Sequence, residues 1–110
     1  MGLKHNVYLS DNTKIYHCKK CRTHLSAQEN IMSKSFRGTH GTAYLFDTVV
    51  NIECGDPNDR EMTTGRHIVR DIMCRQCKVV VGWTYDKAYE PREQYKEGKF
   101  ILELDLLICE

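Results

Sequence analysis

Two short cysteine pairs constrain this chain more than any other feature. Cys18 and Cys21 have two residues between them, as do Cys74 and Cys77, and 52 residues separate the pairs. Two thiolates from each of two tight turns make one tetrahedral four-sulfur shell, a donor set that suits zinc. The six cysteines could instead form three disulfides. That requires an oxidising compartment, and Met1–Asn6 has no apolar stretch to serve as an export signal. A bridge across two residues would also gain little loop entropy. A redox Cys-x-x-Cys accompanies a βαβ unit, and none is legible. The expectation is one structural Zn2+ on Cys18, Cys21, Cys74 and Cys77, with Cys54 and Cys109 outside the shell. Four thiolates leave no open position for a reacting water, so no catalytic role is assigned to the metal. His24, three residues after Cys21, could replace a thiolate. Because the cysteines already complete the shell, it is expected beside the metal site or on the surface.

The chain of 110 residues is read as one domain over 1–110, with Lys plus Arg at 16 against Asp plus Glu at 15. That balance argues against a nucleic-acid coat or a polybasic membrane binder. Lys14, Lys19, Lys20 and Arg22 gather near the first knuckle, and the near-neutral total favours a solvated basic face over a phosphate-binding one. No apolar run approaches the ~20 residues of a membrane helix. Gly2 could invite myristoylation, but Asn6 stands where Ser or Thr is needed.

Hydrophobic patterning points to strands. Val50, Ile52 and Cys54 alternate with Asn51 and Glu53, which puts Cys54 on an apolar face as a small core residue. Val79, Val81, Trp83 and Tyr85 share one side of a second strand, and Arg66–Met73 reads as a third with mixed alternation. Gly55–Asp59, Thr64-Gly65 and Glu97-Gly98 read as turns. Phe100–Ile108 fits a strand or a helix equally, with Glu103 and Asp105 on the polar side if it is a strand. Ser26 and Glu29 have capping-box spacing, which suggests a short helical turn. The fold class is mainly β, two small antiparallel sheets over one core.

The blocks around the cysteines carry a resemblance. Cys18-x-x-Cys21-x-x-His24-Leu25 is followed by Phe36-x-Gly38-x-x-Gly41-x-Ala43-Tyr44-Leu45 and by Val49-Val50-Asn51. Then come Thr64-Gly65-x-His67, Asp71-Ile72-x-Cys74-x-x-Cys77, Gly82-Trp83-x-Tyr85 and Tyr95 through Glu103. This order, from about residue 16 to 103, resembles the Yippee family. The resemblance implies a β-tent, in which two antiparallel sheets meet at an angle and a four-cysteine zinc pins their apex. It also implies a strand at least to Glu103. Relatives of that fold include cereblon's thalidomide-binding domain, the B-class methionine sulfoxide reductases and centromere-priming proteins.

These relatives suggest different functions. A sulfoxide reductase needs a reactive thiolate in an electropositive, accessible site, and neither Cys54 nor Cys109 has the reductases' Arg-x-Cys-x-Asn setting. The chain is therefore expected not to be an enzyme. A cereblon-like reader of a small ligand or modified chain terminus would use Trp83 as a cage wall, although it is the single Trp here. Trp83 is thus either core beside the second knuckle or the edge of a binding site that includes Phe36, Gly38, Gly41 and His67. The two glycines are read as tight turns with positive φ, and His67 as a hydrogen-bonding partner across strands. By resemblance, the function expected first is that of an adaptor in nucleus and cytoplasm. It would be a regulatory subunit associated with a GID/CTLH ubiquitin ligase and tied to cell growth, stress survival or division.

Overall fold

The computed structural model describes residues 14–110. The reading of Met1–Asn6 lies outside the described residues. Ten strands follow in chain order: β1 Ile15–Cys18, β2 His24–Ala27, β3 Ile31–Gly38, β4 Gly41–Phe46, β5 Ile52–Cys54, β6 Asn58–Met62, β7 Gly65–Cys74, β8 Val80–Ala88, β9 Phe100–Glu103 and β10 Leu107–Cys109. All pairings between these strands are antiparallel. A small sheet has the order β10-β1-β2, and a large one the order β3-β4-β9-β8-β7-β5, with β6 also on β7. The ten-residue β7 carries both short strands, β6 along Gly65–Val69 and β5 along Ile72–Cys74.

The large sheet is apolar on both faces, as its period-two side chains require. Tyr44 and Phe46 of β4, Ile72 and Cys74 of β7 and Leu102 of β9 pack toward the small sheet's Tyr16, Cys18, Leu25 and Leu107. Ala43, Leu45, Val69, Tyr85 and Ile101 form a second cluster, joined by the partly buried Phe36, Met62 and Trp83. Along β4, Tyr44 and Phe46 alternate with Ala43 and Leu45 between these two faces.

β8 departs from simple alternation. Ile72 pairs with Gly82 but Met73 pairs with Val80, so Val81 is an extra residue in a bulge. The bulge turns Val81 into the core facing the small sheet, while Trp83 and Tyr85 belong to the other face. The expectation that Val79, Val81, Trp83 and Tyr85 share one side is therefore corrected, since Val79 packs with Val81. Gly82 lies where β8 meets β9, and a Cβ there would fall 1.7 Å from the Ile101 carbonyl oxygen. No side chain fits between those backbones.

Other expectations also change. β5 is only Ile52–Cys54, and Cys54 is exposed rather than core. Asn51, expected on a polar strand face, is buried with φ 59°, left-handed backbone that Asn tolerates better than most residues. Asn51 Nδ2 donates to the His24 carbonyl at 2.7 Å, and the Asn51 carbonyl accepts from Arg75 N at 2.9 Å. One residue thus ties β2 to the second cysteine turn. The ambiguous C-terminal run splits: β9 ends at Glu103, Leu104–Leu106 form a 3₁₀ turn and β10 begins at Leu107. Glu103 is buried, and its Oε1 accepts from His40 N at 2.8 Å. Gln28–Asn30 do make a 3₁₀ turn, but without a capping box. Ser26 Oγ instead donates to the Thr48 carbonyl at 2.6 Å.

Candidate metal centre and adjoining pocket

Both cysteine pairs fold into the same turn. Arg22 N donates to the Cys18 carbonyl at 2.7 Å, and Lys78 N donates to the Cys74 carbonyl at 2.8 Å. Cys18 N reaches the Thr23 carbonyl and Cys74 N the Val79 carbonyl, both at 2.8 Å. The residue after each pair is left-handed, Arg22 at φ 67° and Lys78 at φ 68°. These are unfavourable conformations for long side chains, held in place by the turns around them. The expected turns at strand ends are present, since Cys18 ends β1 and Cys74 ends β7.

The four sulfurs lie within 4.8 Å of one another. Across the pairs, Cys18 Sγ is 3.6 Å from Cys77 Sγ and Cys21 Sγ is 3.4 Å from Cys74 Sγ. A tetrahedral ion with metal–sulfur bonds of about 2.3 Å needs sulfurs about 3.8 Å apart, so the quartet fits zinc closely. Burial pushes the Cys18 thiol up to about 12, opposed by the N–H groups of Cys21 and Lys20 aimed at its sulfur. Burial also raises Cys74. At Cys21 burial works in the same direction but is outweighed by the Thr23 hydroxyl and N–H together with the Cys74 and Cys18 thiols, which bring its thiol to about 7. A divalent cation would displace the thiol protons, and the backbone donors are already placed to support the thiolates. His24 is not among the four ligands; its ring meets His17 edge-on at 4.7 Å. Because Cys18 belongs to the small sheet and Cys74 to the large one, the centre joins the sheets.

A cavity of about 610 Å³ opens on the face of the large sheet that carries the second cluster. Its walls come from β3, the β6–β7 turn, β8 and the 3₁₀ segment Pro91–Lys96. Trp83, Phe36 and Gly38 line it together; Gly41 and His67 do not. Trp83 is partly exposed, and its shielded Nε1 has no hydrogen-bond partner among the described residues. Burial raises the Tyr85 phenol and the neighbouring Trp83 N–H opposes that shift, but their contact falls short of hydrogen-bond geometry.

The remaining site residues have structural explanations. Gly41, at φ 105°, closes the Thr39-His40 turn between β3 and β4. Gly38 is not left-handed; a Cβ there would meet Glu103 Oε1 at 2.6 Å. His67 is fully buried against Tyr85, with ring centroids 5.2 Å apart. His67 Nδ1 bonds the Gly65 carbonyl at 2.9 Å within its own strand rather than across strands.

Sequence reasoning missed Lys96. It is 2% exposed, and its Nζ donates to Glu93 Oε1 at 2.8 Å and Thr64 Oγ1 at 3.1 Å. Its neighbours Tyr95 and Glu97 are exposed and polar-edged, so no pattern signals a buried lysine there.

Comparison with known proteins now gives the family. A family model described as "Yippee zinc-binding/DNA-binding /Mis18, centromere assembly" matches residues 14–110. Human protein yippee-like 3 is 48% identical over 102 residues, covering 93% of this chain and 86% of that protein. Human protein yippee-like 4 is 46% identical over 101 residues, covering 92% and 80%. The crystal structure of the Mis18 'Yippee-like' domain superposes with a TM-score of 0.72 at 16% identity, over 89% of this chain and 95% of that one. That likeness is one of fold. With the thiol quartet assembled and the match running from β1 to the last residue, this chain belongs to the Yippee-Mis18 family.

Proposed function

We propose that this chain is a non-enzymatic binding module, in which the metal pins the fold and the pocket beside Trp83 receives a partner. The observation that carries the reading is the separation of the two places. The sulfur quartet is closed and joins the sheets, whereas the pocket is open on the large sheet's other face and edged by a partly exposed Trp83. Four sulfur ligands leave no coordination position for a reacting water. Cys54 and Cys109, the remaining thiols, do not line the pocket.

Following the sequence resemblance, the partner is a scaffold of a GID/CTLH-type ubiquitin ligase. The chain acts as its regulatory subunit in nucleus and cytoplasm, in growth, stress survival or division. Affinity capture of ligase subunits by the wild-type chain and Trp83→Phe tests this, with thermal melts in parallel. The expected result is capture by the wild type, at least about tenfold weaker capture by the variant, and closely similar melting temperatures. Capture unchanged by Trp83→Phe would move the interface elsewhere, and no capture of ligase subunits would remove that partner. The second reading, a receptor for a small ligand or modified chain terminus, is favoured by a volume of about 610 Å³, within the range of small-molecule sites.

A further inference from the structure

Aromatic side chains gathered around a cavity usually suit a cationic ligand. Here that position is filled from within. Lys96 Nζ lies 5.3 Å from the Phe36 ring centroid and 5.1 Å from that of Tyr85. Its bonds to Glu93 and Thr64 hold it there, out of solvent. Building on the reading that the pocket is a binding site, we propose that it takes a carboxylate carried on an apolar body and rejects cations, because Lys96 already holds the cation position between its aromatic walls.

The charges in the wall sum to positive. Glu93 is the only carboxylate among the described lining residues, and Lys96 engages it. Arg37 and Arg60 stand in the same lining. Arg60 shares its charge with Asp71 at 3.1 Å, while Arg37 is exposed and has no ion pair among the described residues. With Lys96 and Arg60 each paired to a carboxylate, Arg37 leaves the wall positive; an entering ammonium would lose water near that charge and find the position between the rings filled, whereas an entering carboxylate meets the opposite sign in Arg37. The shielded Trp83 Nε1 donor, beside the Tyr85 phenol, makes no hydrogen bond among the described residues, an unfavourable state that an acceptor drawn to it would relieve. Phe36, Met62 and Trp83 supply the partly buried apolar surface on which the body of such a ligand would rest.

The same chemistry could come from a peptide's free C-terminus or from a small arylalkanoate. Because the chain has one Trp, its indole N–H gives a single nitrogen–proton NMR signal that reports on the pocket. The zinc-loaded, ¹⁵N-labelled full chain would be titrated with 3-phenylpropanoate, its amide and 3-phenylpropylammonium. Acetyl-Leu-Phe with a free and with an amidated C-terminus would follow. The expected result is that both carboxylates shift the indole signal with Kd at least about tenfold below their amides, and that the ammonium binds more weakly still. Either carboxylate being the tighter identifies the source and supports the proposal. Lys96→Met should reverse the preference, since it frees the position between the rings for the ammonium. Should that variant not fold, Arg37→Gln on the exposed rim should weaken carboxylate binding about threefold or more with an unchanged melt. Ammonium binding as tight as carboxylate in the wild type would overturn the charge inference while leaving the pocket a binding site. No indole shift with any probe at about 20 mM would overturn both.

Discussion

Metal removal should unfold this protein rather than merely silence it. Cys18 closes a strand of the small sheet and Cys74 a strand of the large one, so the metal cross-links two layers otherwise joined by packing, by the connecting chain and by a few hydrogen bonds such as those of Asn51. Treated as a loop closure over the 52 residues between the pairs, that cross-link removes about 4 kcal/mol of denatured-state entropy. Metal–thiolate binding in zinc peptides is larger, about 10–16 kcal/mol. A domain of this size has only about 5–15 kcal/mol of net stability, so the closure term alone approaches the lower end and the full metal term reaches or exceeds the whole. Packing cannot easily compensate, because Cys18 and Cys74 are fully buried in the cluster that faces the small sheet. The assay is a chelator titration with a colorimetric zinc indicator, followed by circular dichroism melts. One zinc per chain should be released, and the cooperative transition should disappear with it. Cys74→Ser should have the same effect, whereas a Cys54→Ser, Cys109→Ser double variant should keep both the zinc and the melt. A metal-free chain that melts cooperatively within about 5 °C of the loaded one, a shift worth only about 1 kcal/mol, would refute the reasoning.

Gly82→Ala should destabilise the fold by about 3 kcal/mol or more, because its Cβ would overlap the Ile101 carbonyl at 1.7 Å and force β8 from β9; denaturant unfolding measures it, and a loss below about 1 kcal/mol would contradict the close approach. Asn51→Ala should cost about 1–3 kcal/mol by leaving the half-buried His24 carbonyl without its side-chain donor, and Asn51→Gly should cost less, since glycine adopts φ 59° without strain. The Tyr85 phenol is raised above its ordinary value of 10.0, chiefly by burial. A raised folded-state value means stability is fully present below the ordinary value and is lost as pH rises through the folded one. Stability should therefore fall above pH 10, and Tyr85→Phe should flatten that fall in melts at increasing pH.

Local chemistry explains what could be read early. Metal ligation depends on donor type and short spacing, and Cys18, Cys21, Cys74 and Cys77 come together as that spacing implies. The β7 and β8 strands and the turn at Thr64-Gly65 are likewise written in short-range pattern. Misreadings arose where one residue's geometry reset its neighbours. The bulge at Val81 separated it from Trp83 and Tyr85, and the left-handed Asn51 shortened β5 and left Cys54 exposed. Neither event leaves a periodic trace, because each depends on a partner strand or a distant carbonyl.

By itself, the sequence determined the thiolate quartet, the mainly β character and, through ordered blocks of residues, the Yippee resemblance. Those properties depend on residue identity and short separations, and no long-range contact is needed to infer them. Only the tertiary structure decided which side chains share the pocket. It brought Trp83, Phe36 and Gly38 into one lining, set His67 against Tyr85 and left Gly41 to its turn. It also drew Lys96 out of a polar 3₁₀ segment into the space between Phe36 and Tyr85. A lysine is ordinarily solvated, and what buries this one is the convergence of Glu93, Thr64 and two rings from four separate parts of the chain.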